Sequence, residues 1–393
     1  MAAWPTGAPC LAALLVSALA LAVTEDARAL FTEGVRLEKE GRLPAARAAY
    51  QKALAMDPKL VPALANLGMV ELRMGQAPSA VQRFREVLKI NPQLAQVEFY
   101  LGLALYESAD YAAAASALEH FRRSYAGDPR AMHLHALCLL KLDRLAEGVS
   151  LLEQSVRRNQ DNLAGLVTLA TSYIALQRLE EASQLLHGPL KDLQSPEALL
   201  ARGMLLNAQG RYLEAEKALR DGLALNPKLP TLRSQLGYTL MLLGDYPAAA
   251  REFEAELSWN PHDFGANANL GWILLKDRHY EHASKVLGAA LQLKPASTGV
   301  QFLLGQVHFS TGDMAKARGL LEKVVLAKPD FRAAHVLLAR VYAKLRMPDE
   351  LARTQSVIQR LTQDEQARNA GGTESYGGRV NVPEFAPRSG GPQ

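Results

Sequence analysis

Cysteine is nearly absent: Cys10 and Cys138 are the two in 393 residues. Cys10 lies in the N-terminal leader segment, just before its apolar run, so cleavage of that leader would leave one thiol and no internal disulfide. Cys138 sits in a helical apolar pattern and reads as a small buried side chain. Aromatics are scarce at 6%, and net charge is only +4. Lysine and arginine are scattered rather than striped, which argues against a nucleic-acid partner. Long hydrophobic runs are missing except for Leu11 to Val23, thirteen residues interrupted by Ser17. A bilayer span needs about 20. The run reads as a secretory leader over residues 1–22, with Ala20-Leu21-Ala22 as the cleavage site, although no lysine or arginine precedes Leu11. The alternative is an uncleaved anchor using Trp4 to Val23.

Catalytic constellations are missing too. His133 and His135 fall on different sides of one helix, and His279 and His282 straddle a turn and a helix start. Neither pair has a cysteine or acidic cluster at ligand spacing. No glycine-rich phosphate loop occurs, and Glu180-Glu181 reads as a solvated helix face. The expectation is therefore no catalytic residue, no metal and no cofactor.

What is present is a repeat. Gly34, Gly68, Gly102, Gly237, Gly271 and Gly305 share one register at a spacing of 34 residues, the kind of period that marks stacked units. Twelve residues after each comes Ala46, Ala80, Ala114, Ala249, Ala283 or Ala317, and four later Tyr50, Phe84, Leu118, Phe253, Leu287 or Leu321. Proline closes most units at Pro58, Pro92, Pro261, Pro295 and Pro329. Gly203, Ala215, Leu219 and Pro227 form another copy. Ten units start at Ala27, Val61, Ala95, Pro129, Leu163, Pro196, Pro230, Phe264, Thr298 and Arg332, each 34 residues long except the fifth, which has 33.

Each unit reads as two amphipathic helices joined by a turn, for example Pro62 to Met74 and Pro78 to Ile90 around Gly75-Gln76. A glycine inside a helix costs about 1 kcal/mol against alanine. It is expected here because paired helices cross closely, with Gly68 and Ala80 where the backbones approach. In units four and five Ala136 and Ala170 replace that glycine, and Gly188-Pro189 falls within the second helix of unit five. A short or broken helix follows near 187–196, read either as a local irregularity or as a hinge. Polar residues along Pro348 to Arg368 suit a capping helix. The stretch 370–393, with six glycines and three prolines, reads as a disordered tail.

The pattern resembles the tetratricopeptide repeat over about Ala27 to Leu361, best in unit two (Leu64, Leu67, Gly68, Ala80, Phe84, Pro92), unit seven and unit eight (Leu270, Gly271, Leu274, Ala283, Leu287, Ala290, Pro295). The resemblance implies an all-α fold: an α-solenoid, a right-handed superhelix of antiparallel helix pairs over 27–368, with first helices lining a concave face. Helical spacing puts Phe99, Leu103 and Tyr106 on that face in unit three, Leu200, Met204 and Asn207 in unit six, and Ser234, Tyr238 and Met241 in unit seven. Ala268, Trp272 and Leu275 follow in unit eight, and Phe302, Gln306 and Phe309 in unit nine.

Asn66 and Asn269 match an asparagine common in the family, but no groove lysine accompanies them in the register used to grip a peptide carboxylate. Apolar recognition is expected instead, with Tyr238, Trp272 and Phe309 as anchors; the alternative is that these rings only pack between repeats. The function expected from the resemblance and the leader is an exported, non-enzymatic, periplasmic scaffold binding a protein or peptide, in cell-envelope assembly or secretion. An accessory subunit presenting a protein or glycan substrate to an enzyme is the second reading, and an enzyme in its own right the third. A membrane enters only through a retained leader.

Overall fold

The computed structural model describes residues 25–370. The leader expected at 1–22, and the tail expected at 370–393 apart from Ala370 itself, lie outside them. Among the described residues there are twenty α-helices and no strand. The chain divides into two compact units, 1–172 and 173–393, with the boundary inside α9.

In the first unit the helices are α1 (Glu25–Lys39), α2 (Leu43–Met56), α3 (Val61–Arg73), α4 (Ala77–Ile90), α5 (Ala95–Glu107), α6 (Tyr111–Ser124), α7 (Pro129–Lys141), α8 (Leu145–Arg158) and most of α9 (Leu163–Ala175). The second unit continues with α10 (Leu179–His187), α11 (Pro196–Ala208), α12 (Tyr212–Leu225), α13 (Leu232–Leu242), α14 (Tyr246–Trp259) and α15 (Phe264–Lys276). It ends with α16 (Tyr280–Leu293), α17 (Thr298–Thr311), α18 (Met314–Ala327), α19 (Arg332–Leu345) and α20 (Pro348–Ala370). Within α1–α8 and within α11–α20 each odd-numbered helix packs on the next along the chain, so each unit is an α-solenoid stack of helix pairs.

The repeated glycine has a specific neighbour, and it is not the one expected. A Cβ on Gly68 would meet the Phe84 ring at 2.9 Å, rather than the backbone at Ala80. Gly34 stands in the same way over Tyr50 (2.5 Å), Gly102 over Leu118 (2.6 Å), Gly203 over Leu219 (2.5 Å), Gly237 over Phe253 (2.8 Å), Gly271 over Leu287 (2.4 Å) and Gly305 over Leu321 (3.0 Å). All seven large side chains are fully buried. The glycine is a socket for the bulky residue sixteen positions later. Burying that residue contributes about 1.5–3 kcal/mol, which outweighs the propensity loss of about 1 kcal/mol.

Unit four reaches the same closeness by exchange. Ala136 occupies the socket position, and Gly148 occupies the alanine position of the second helix. A Cβ on Gly148 would lie 3.2 Å from the Ala136 carbonyl oxygen and 2.9 Å from Leu140 Cδ2.

All ten first helices end alike. A residue with positive φ follows each: Gly41, Gly75, Ala109, Asp143, Gln177, Gly210, Gly244, Arg278, Gly312 and Arg346. The next amide donates back to the last turn, as in Gln76 N to Glu71 O at 2.8 Å and His279 N to Leu274 O at 2.8 Å, closing a Schellman-type turn. Several second helices are capped by aspartate, for instance Asp245 accepting from Ala248 N at 3.0 Å.

Two places break the pattern. α10 has nine residues where α12 has fourteen, because Pro189 cannot continue it. The chain past it is tied down by Arg202, whose Nη2 donates to Leu190 O (2.6 Å) and Lys191 O (2.7 Å), while Leu190 is fully buried. α13 starts at Leu232 because Thr231 takes a left-handed conformation, φ 75°, with its amide donating to Glu256 Oε1 at 2.8 Å.

Candidate functional site

The first-helix residues divide by burial. Phe99, Leu103, Tyr106, Met204, Phe302, Gln306 and Phe309 are half-buried. Tyr238 (5% exposed), Met241, Asn207, Asn269 and Trp272 (8%) are buried within the packing. The half-buried set is therefore the one that can touch a partner without the stack opening.

In the first unit, Phe99 lies edge-on to Tyr100 at 5.4 Å and 5.6 Å from Phe121, with the Arg130 guanidinium 5.4 Å above its ring. Tyr106 meets Tyr111 edge-on at 5.4 Å. Burial pushes the Tyr106 phenol up to about 12, so it stays a neutral donor.

In the second unit, Trp272 meets Tyr246 edge-on at 5.5 Å, and Lys276 Nζ stands 4.5 Å from the Trp272 centroid and 5.5 Å from that of Tyr246. Arg340 lies 4.6 Å over Phe309, and Phe302 packs on Phe331 at 4.8 Å. Lys276 and Arg340 are exposed, and neither forms an ion pair with a described residue. A cation held over a ring and free of carboxylate keeps its charge available. Sequence reasoning passed over both residues. The signal was present: Lys276 is four residues past Trp272 on one helix, and Arg340 repeats the register of Gln306.

The two family-type asparagines differ in surroundings. Asn66 Nδ2 donates to Tyr50 Oη at 3.2 Å. At the equivalent place Asn269 faces the repeat that carries Phe253, which has no hydroxyl, and its buried Oδ1 has no partner. Asn207 is satisfied by Thr239 Oγ1 at 2.9 Å.

His133 and His135 point apart. His135 Nδ1 is 3.3 Å from Arg122 Nη1, while His133 Nδ1 lies near the place a Cβ on Gly165 would occupy. Burial pushes the Cys138 thiol up to about 12, an unreactive thiol. Among the described residues no group of three histidine, cysteine, aspartate or glutamate side chains is placed to hold a metal.

Tetratricopeptide-repeat profiles match residues 37–98 and 274–341, 196–239, 5–61 and 230–255, in total more than half the chain. The chain belongs to the tetratricopeptide-repeat family. Repeat arrays of this family act as protein-interaction scaffolds, and that coarse class applies to this protein. A profile for anaphase-promoting complex, cyclosome, subunit 3 also matches, at 73–155 and 114–189. The solved Cut9–Hcn1 hetero-tetramer of the anaphase-promoting complex is similar in fold, with TM-score 0.56 at 17% identity, over 76% of this chain and 59% of that one. Cellulose synthase 1 operon protein C of Komagataeibacter xylinus is 29% identical over 224 residues, 53% of this tetratricopeptide-repeat chain. The chain spans 17% of that relative's length.

Proposed function

We propose that this protein is a non-enzymatic scaffold that grips an extended segment of a partner protein along its first-helix faces. The observation that carries the reading is the pairing of rings with exposed, uncompensated cations on α15, α17 and α19: Lys276 over the buried Trp272, and Arg340 over the half-buried Phe309. Such a face suits a segment with apolar anchors and acidic residues beside them.

The scaffold is exported. The apolar run at Leu11 to Val23 supports this, as does the likeness to a cellulose synthase operon protein. That likeness also favours the second reading, an accessory subunit of a polymer-handling enzyme complex.

The test is retention of a partner from the envelope fraction of the source cell by immobilised protein. The wild type should hold a defined protein that K276E/R340E releases, with both proteins melting alike. Equal retention by the two would remove the face from the account. Co-retention of one enzyme would select the second reading. Export is read separately, from where a reporter fused behind residue 25 accumulates.

A further inference from the structure

Exposed apolar side chains occur singly on any surface and need no explanation. Here four of them share one place in the repeat, the thirtieth residue, where the second helix ends. Met56 and Ile90 hold it in the first compact unit. Leu225 (57% exposed) and Trp259 (62%) hold it in the second, followed by the half-buried Leu293.

In the second compact unit, contacts join three of these loop tips into one strip. Lys228 Nζ, from the tip after α12, stands 4.1 Å from the ring centroid of Trp259 at the end of α14. Lys294 Nζ, from the tip after α16, stands 4.7 Å from that of Phe264 at the start of α15. Both lysines are exposed, and neither forms an ion pair with a described residue. The carboxylates within the strip are committed to the fold: Glu256 accepts from Thr231 N at 2.8 Å, and Asp263 from Ala266 N at 2.7 Å and Ser234 Oγ at 3.1 Å. The exposed Asp221 and Glu254 lie a turn or more back along α12 and α14. At the next tip Lys328 and Asp330 add no net charge. Proline stiffens each tip of the strip, at Pro227, Pro261 and Pro295.

Three stiff tips side by side offer a rim rather than a groove, and a rim meets a plane better than it holds a chain. Tryptophan beside lysine is the combination that settles between headgroups and acyl chains, the ring at the boundary and the ammonium in water. Lysines free of carboxylate complement an anionic headgroup layer. We infer that this strip docks on an anionic phospholipid bilayer, with Leu225 and Trp259 entering the headgroup boundary and Lys228 and Lys294 meeting the phosphates. The docking needs no retained leader and does not depend on the proposed function.

The test is quenching of Trp259 fluorescence by brominated lipid. It uses the full chain carrying Trp4→Phe, which leaves Trp259 and the buried Trp272 as the two tryptophans. Vesicles of brominated phosphatidylglycerol and phosphatidylcholine in equal parts should blue-shift and quench the emission saturably. Vesicles of brominated phosphatidylcholine alone should bind several-fold more weakly. Adding Trp259→Phe should abolish the response. K228E/K294E should weaken binding to the anionic vesicles several-fold with an unchanged melting temperature. An unquenched Trp259, an equal response in the Trp259→Phe chain, equal binding to the neutral vesicles, or undiminished binding of K228E/K294E would overturn the inference. So would an equal blue shift on soluble polyglutamate, which would assign the strip to an acidic protein.

Discussion

Gly271→Ala tests the socket directly. In an open helix this change stabilises by about 1 kcal/mol. Here the new Cβ would stand 2.4 Å from Leu287 Cγ and 2.5 Å from its Cδ2, and Leu287 is fully buried. Neither atom has room to retreat, and forced overpacking costs about 1–3 kcal/mol. The balance is a loss of roughly 1 kcal/mol. Leu287→Ala alone should lose about 2–5 kcal/mol through its cavity. In that background the clash is gone, so Gly271→Ala should change sign and gain up to about 1 kcal/mol. The coupling between the two sites is then about 2 kcal/mol. Urea melts of the four proteins give the cycle. Because repeat stacks open by segments, amide exchange in α15 and α16 is read beside them. A stabilising Gly271→Ala in the wild type, or an equal loss in both backgrounds, would refute the socket.

Phe253→Tyr should place a hydroxyl beside Asn269, at the place where Tyr50 Oη accepts from Asn66 Nδ2. Here the hydroxyl would instead donate to the unpartnered Oδ1 and stabilise by about 1 kcal/mol in melts; a clear loss would contradict that placement. Arg202→Ala should remove two hydrogen bonds to carbonyls, costing about 2 kcal/mol locally and speeding amide exchange over 188–194. Glu71 is buried between Arg47 and Arg83, and burial lifts its carboxyl above the ordinary range despite them. Between its unfolded and folded values the native state holds the extra proton, so this site stabilises less as pH rises through that window. Stability relative to Glu71→Gln should therefore fall from pH 4 to 7, and a rise would show the arginines winning over burial.

The fold was legible because each repeat restates the same constraints. Socket glycine, small residue and bulky residue recur at fixed offsets, and ten copies average out local ambiguity. The turn was less legible. Gly41, Gly75, Gly210, Gly244 and Gly312 announce a left-handed residue, but Ala109, Asp143, Gln177, Arg278 and Arg346 adopt the same conformation without saying so. There the stack on either side imposes what the residue type disfavours. The exchange of Ala136 with Gly148 was hidden for a related reason: a pattern search scores one position at a time, whereas packing responds to the sum across both helices.

The candidate faces were only half legible. Helical spacing marks which side of a first helix a residue takes, yet burial is decided by the neighbouring repeat. Tyr238 and Trp272 are covered by it, while Phe309 is not.

The central claim is that a partner lies along the first-helix faces. Photo-crosslinking from single sites tests it most directly, with the probe at Tyr106, Gln306 or Phe309 on those faces and at Leu213 or Leu326 on the second helices, where both leucines are exposed. The account predicts adducts with one partner from the first three positions and none from the last two. Adducts from Leu213 and Leu326 alone would contradict it.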